Sequence, residues 1–196
     1  MEKSENMMFK RLAVIVVALI AMLVSSQEAK AQQVAVKTNV LYWAAMTPNI
    51  ACEIVTGEHT SLDLTALGHW NPYGLDSKIM VVQPEFKYWF NGRPMTREFV
   101  GCSFMVASYD MMVSKKFVYN GNAIMLGLTG GYVFALSDHW NFELSGGFGV
   151  LGFKQKQHYI NDNYDDYFVD EAVKANSIGY KLFPAKLGVS FSYIIK

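Results

Sequence analysis

Val81-Val82-Gln83-Pro84-Glu85-Phe86-Lys87-Tyr88-Trp89-Phe90 alternates charges with aromatic rings and carries a proline within the alternation. Successive side chains of an extended chain point to opposite faces, so Gln83, Glu85 and Lys87 share one face with Trp89 while Phe86, Tyr88 and Phe90 share the other. The stretch therefore reads as a β-strand between two unlike environments. Pro84 supplies no amide hydrogen, so a β-bulge or a locally broken ladder is expected beside it.

The same division runs through the chain. Eight segments read as strands, at about 35–45, 49–57, 60–70, 78–90, 96–112, 120–136, 139–153 and 177–195. Between them lies turn chemistry such as Thr47-Pro48-Asn49, Asn91-Gly92-Arg93-Pro94 and Ser137-Asp138. Wherever the split is clear, the charges fall on one face: Lys37, Glu53, Asp63, Glu85, Lys87, Glu143 and Lys186, together with Asn39, Gln83 and several serines. The other face carries Val36, Ile54, Leu64, Leu144, Ala185, Leu187 and Phe191. The fifth segment is ambiguous, because Val100, Cys102, Phe104 and Val106 compete with Phe99, Met105 and Tyr109 for the apolar side.

Two architectures share this pattern and are inside-out versions of one another. A soluble lipocalin-like barrel lines its cup with the apolar face, whereas an outer-membrane barrel turns that face to lipid and fills its lumen with the polar one. The connections near 71–77, 113–119 and 154–176 read as longer than those near 58, 91–95 and 137–138, which is the loop asymmetry of outer-membrane barrels. Tyr88, Phe90, Tyr132, Phe134, Trp140, Phe142 and Tyr193 gather toward one end of their strands, and Tyr42 and Trp70 toward the other, like two interfacial girdles. The expectation is an all-β, eight-stranded antiparallel up-and-down transmembrane β-barrel. In so narrow a barrel, three lysines and four acids on the lumen face would pair into a plug.

Composition agrees with that choice. The 196 residues hold 52% apolar and only 17% charged side chains, against roughly 25% charged in soluble domains. Seventeen basic residues balance seventeen acidic ones, so no net field recruits nucleic acid. Lys10-Arg11, the apolar run Leu12–Val24 and Ala29-Lys30-Ala31 read as a cleavable signal peptide over 1–31, leaving 32–196 as the barrel domain. Cys52 and Cys102 fall in different strands and are expected to be free and buried.

Catalysis receives little support. Glu85 with Glu143 or Asp63 could do acid–base work, but three lysines on the same face favour structural pairing. An acyl-hydrolase reading would need His69 near the outer rim with Ser103 or Ser108, and no nucleophile signature accompanies them. The four histidines lack metal-ligand spacing, so no metal and no cofactor are expected. The segment after Lys154 holds Tyr159, Tyr164, Asp165, Asp166, Tyr167 and Phe168, an acidic-aromatic run suited to a partner surface; its acids miss the EF-hand calcium spacing.

Several of these stretches together resemble a known family. Lys37-Thr-Asn-Val-Leu-Tyr-Trp43, Thr47-Pro-Asn49, Leu62-Asp-Leu64, Asn71-Pro72, Gln83-Pro-Glu-Phe-Lys-Tyr-Trp89 and the closing Lys186 to Lys196 look like the uncharacterised domain of unknown function 3575. Gln-Pro-Glu-x-Lys/Arg-Tyr-Trp is the most specific element. Phe99 to Tyr109, where the family is usually richer in Gly and His, and Phe183-Pro184, where Gly-Pro is common, depart from the pattern. The resemblance implies a small Gram-negative outer-membrane barrel, some members being encoded near fimbrial or OmpA-like genes, and it implies no reaction.

The function expected from all of this is structural or interactive, through extracellular loops, in the cell outer membrane. The expected partners are outer-membrane lipid, lipopolysaccharide and a surface or fimbrial protein. A lipid-modifying barrel enzyme and a soluble periplasmic lipocalin-like binder are the alternatives.

Overall fold

The computed structural model describes residues 33–114, 117–159 and 176–195. The expected signal peptide lies outside the described residues. Eight strands follow in chain order: β1 (Val34–Asn39), β2 (Asn49–Val55), β3 (Thr60–Trp70), β4 (Ser77–Trp89), β5 (Arg97–Ser114), β6 (Phe117–Ala135), β7 (Trp140–Tyr159) and β8 (Asn176–Ile195). A short helix, α1 (Val40–Ala44), stands between β1 and β2. Each strand pairs antiparallel with the next and β8 pairs with β1, so the up-and-down ring closes. Closure is complete at the lower end, where Ser190–Ile195 of β8 pair with β1; above Ser190 the β1 side of β8 has no strand partner among the described residues. The end where β1 begins and β8 finishes is called lower, and the opposite end upper.

The expected first strand, 35–45, is cut short. Asn39 turns its side chain onto the amide of Leu41 and caps α1, while its amide group donates to the Leu187 carbonyl at 3.1 Å. The Asn49 side chain also clasps the Asn39 backbone, accepting from its N–H at 2.6 Å and donating to its carbonyl at 2.9 Å. These bonds offer the backbone an alternative to the ladder, which is why Asn ends strands and starts helices. The other half of the ring is longer than expected: β5 to β8 run 18, 19, 20 and 20 residues, against 6 and 7 for β1 and β2. The expected loop asymmetry weakens accordingly, since only two residues separate β5 from β6 at the upper end while seven lie between β4 and β5 below.

The two strand prolines are accommodated differently. Beside Pro84, β4 keeps register with β3 through Leu64, but its pairing with β5 lapses between Val82↔Val106 and Glu85↔Ser103 and resumes without a shift. The ladder is broken there, without a bulge. Beside Pro184 the β7–β8 register does shift, from Phe148↔Pro184 to Gly147↔Lys186, leaving Ala185 as an extra residue. This bulge corrects the expected eighth strand, because Ala185 and Lys186 both point inward and Ala185 is buried instead of outward. Gly127 makes the room, as a Cβ there would lie 2.5 Å from that of Ala185.

Across the middle of the ring the two faces separate as alternation dictates. Leu128 on the outside is 72% exposed, whereas Lys87 on the inside is fully buried. Ile50, Phe86, Phe104, Leu126, Phe148 and Leu187 share the outward band. The ambiguous β5 resolves with Val100, Cys102, Phe104 and Val106 outward and Phe99, Met105 and Tyr109 inward. Both cysteines are free, but they are not buried: Cys102 is exposed and Cys52 half-buried, on the outward face. Around the lower end, Tyr132, Phe134, Phe142 and Phe191 follow one another as tilted rings with centroids 4.6, 6.1 and 5.3 Å apart, and Trp140 meets Tyr193 edge-on at 5.1 Å. Among the described residues no helix is long and apolar enough to cross a membrane, which leaves strand crossing untouched.

Candidate functional site: a layered barrel interior

The interior is built in three layers. At the bottom, Trp89, Phe99 and Val133 form one apolar group, and Ala35, Met95 and Ile194 form another. Met95 arrives from the β4–β5 turn with its backbone in the left-handed region, φ 64°, and its carbonyl accepts a bond of 2.8 Å from the buried Asn141 amide. Alternation along strands could not reveal this floor, because one of its members comes from a turn.

Above the floor sits the charge layer. Lys37 Nζ faces Glu53, Asp63 at 3.2 Å and Glu143 at 2.6 Å. Lys87 Nζ reaches the same three carboxylates at 3.2, 3.4 and 3.1 Å. Lys186 pairs with Glu85 and approaches Glu143 at 3.8 Å, so Glu143 touches all three lysines. Neutral donors take up remaining lone pairs: Ser61 donates to Glu53 and receives the Trp89 indole N–H at 2.8 Å, and Thr129 donates to Glu85. Gly101 leaves space for that last contact, since a Cβ would lie 2.6 Å from Glu85 Oε1. Lys87 Nζ also lies 4.4 Å above the Phe99 ring. All seven residues named from alternation therefore meet in one network. Buried charges survive only when paired and hydrogen-bonded in this way.

The third layer was not anticipated. Val81, Ala107, Ala123, Met125, Leu151 and Ala185 form a buried apolar cluster above the charges, flanked by Leu67, Ile79 and Phe153. Between the charge layer and α1 lies a void of about 20 Å³, lined by Asn39, Gln83 and Ser190 among others, with room for about one water. Carboxylates so thoroughly ion-paired are poor general bases, and no cluster among the described residues has the composition of a metal site.

The histidine expected at the upper rim has a different partner from those expected. Ser108 lies opposite Met80 on the outward face, and Ser103 is buried next to Gly127, so neither meets His69. Instead His69 Nε2 lies 3.1 Å from Ser77 Oγ and its Nδ1 lies 3.1 Å from Thr47 Oγ1. Ser77 was overlooked because it follows an irregular connection. Yet β3–β4 register makes it a diagonal neighbour of His69 on the inward face, opposite Asn71, whose amide donates to the Ser77 carbonyl at 2.7 Å.

Of the partner-surface residues, Tyr159 ends β7, while Tyr164, Asp165, Asp166, Tyr167 and Phe168 lie outside the described residues. A family profile described as "Protein of unknown function (DUF3575)" matches residues 15–195. No curated protein and no solved structure matches the chain.

Proposed function

Because the chain belongs to the DUF3575 family, whose description assigns no activity, we propose a function from the barrel itself: a small outer-membrane β-barrel with a plugged lumen. Its role is structural or interactive, played at the upper end toward lipid, lipopolysaccharide and a surface protein partner. One observation carries the reading. Burial is inverted relative to a soluble protein, with seven ion-paired side chains inside and Phe86, Leu126, Leu128, Phe148 and Leu187 outside. Monomeric soluble proteins rarely expose so continuous an apolar surface, whereas hydrocarbon requires it. The row of aromatics at the lower end fits an interfacial girdle. The charge layer, its apolar floor and the single-water cavity favour a plug over a pore.

The test is cell fractionation with gel migration before and after boiling. The barrel reading expects the protein in the outer-membrane fraction, moving faster unboiled than boiled. A chain that stays dispersed in buffer without detergent refutes it.

A further inference from the structure

The arrangement at His69 supports more than a structural rim. Thr47 is buried, and its hydroxyl hydrogen is committed to the Ala45 carbonyl at 3.1 Å. In the tautomer that satisfies both contacts, Thr47 Oγ1 donates to Ala45 and accepts from His69 Nδ1–H. Nε2 is then left with a free lone pair aimed at the Ser77 hydroxyl. This is the relay of an activated serine: nucleophile, base and a third group that fixes the base's tautomer. His69 and Ser77 both keep part of their surface open, so the relay can be reached from the upper end.

The surrounding chain holds this geometry in place. The connection from His69 to Ser77 contains Asn71 and Tyr73 in the left-handed region, at φ 50° and 53°, a costly conformation for tyrosine. Tyr73 is anchored by its hydroxyl, which donates to the Ala44 carbonyl. The segment bearing Thr47 and the segment bearing Ser77 are thus fastened together across His69. One step inward on the same faces lie Leu67 and Ile79, at the margin of the upper apolar layer. They give the relay an apolar flank.

We propose that Ser77 is an acylable nucleophile, His69 its general base and Thr47 a positioning residue, acting on carboxylic esters with an apolar acyl chain. Ser77 Oγ attacks the ester carbonyl carbon as its proton passes to His69 Nε2. The tetrahedral adduct collapses, the carbon–oxygen bond to the alcohol breaks, and the alcohol leaves with that proton. Water, deprotonated by the same nitrogen, cleaves acyl-Ser77 to the carboxylic acid and frees the serine. The inference does not depend on where the barrel resides.

The experiment exposes the folded full-length protein in detergent to an alkyl fluorophosphonate and maps the adduct by peptide mass spectrometry. p-Nitrophenyl octanoate hydrolysis is followed in parallel. The expected result is a single adduct on Ser77 and ester turnover that disappears in Ser77→Ala. Labelling should fall by about a hundredfold or more in His69→Gln, the scale of a lost general base. It should fall in Thr47→Val and recover in Thr47→Ser, with all variants keeping their unboiled gel shift. Two results overturn the proposal: a folded wild-type protein that acquires no Ser77 adduct, or Ser77 labelling that is indifferent to His69→Gln.

Discussion

Two layers of one interior, a few residues apart on the same strands, are made of opposite chemistry. On β4, Glu85 and Lys87 belong to the charge layer and Val81, on the same face, to the apolar layer above it. On β7 the same step leads from Glu143 to Leu151. Facing inward therefore does not make a side chain polar. What decides is whether counter-charges converge across the lumen, as three lysines do on Glu143. Where none do, shape takes over: Ala185 fills the space left by Gly127 and clusters with Met125 and Leu151.

The sharpest way to break this contrast is to unbalance the lower layer. Lys87→Met leaves Glu53, Asp63 and Glu143 with one fewer cation in a fully buried site, and should cost about 3–5 kcal/mol. A urea titration of the detergent- or bilayer-refolded protein measures it as a lowered midpoint, and a midpoint within error of wild type would mean that the layer is wet. Next comes a comparison of inside with outside. Leu187→Arg should cost about 2–4 kcal/mol at a bilayer midplane, whereas Ser190→Lys, pointing toward the acid-rich layer, should be milder. Equal tolerance of the two in the same titration would undo the assignment of faces.

The upper layer should respond through packing alone. Met125→Ala removes a buried side chain, yet the half-buried Leu67, Ile79 and Phe153 can close in, so the loss should sit near about 2 kcal/mol. Its midpoint should not depend on salt. The smallest effect belongs to Pro84→Val. The broken ladder already tolerates the missing donor, so stability should change by no more than about 1 kcal/mol, the net worth of one hydrogen bond. Hydrogen exchange would show whether the new amide becomes protected.

Much of this molecule could be read from alternation. The inward position of Lys37, Glu53, Asp63, Glu85, Lys87 and Glu143 follows from period two within their strands, and so does the outward position of Phe86, Leu126 and Leu144; Lys186 keeps the expected side just below the bulge. Reading failed where the period is interrupted. Ala185 turns inward against the pattern because a bulge adds a residue that no pattern announces, and Val40–Ala44 is helical in an otherwise strand-like run because Asn39 caps it. The Ser77–His69 contact was missed for a related reason. Its two residues meet through the register of a hairpin whose connection contains left-handed residues, so their spacing along the chain carries no recognisable motif.

Cys102 offers a direct probe of whether the outward face meets hydrocarbon. The thiol lies on that face between Phe86 of β4 and Leu128 of β6. With Cys52 changed to Ser, a bimane on Cys102 can be followed in vesicles whose lipids carry bromine on their acyl chains. The barrel described here predicts strong quenching by the brominated chains and little by iodide in the water. Quenching by iodide without quenching by the brominated lipid would contradict it.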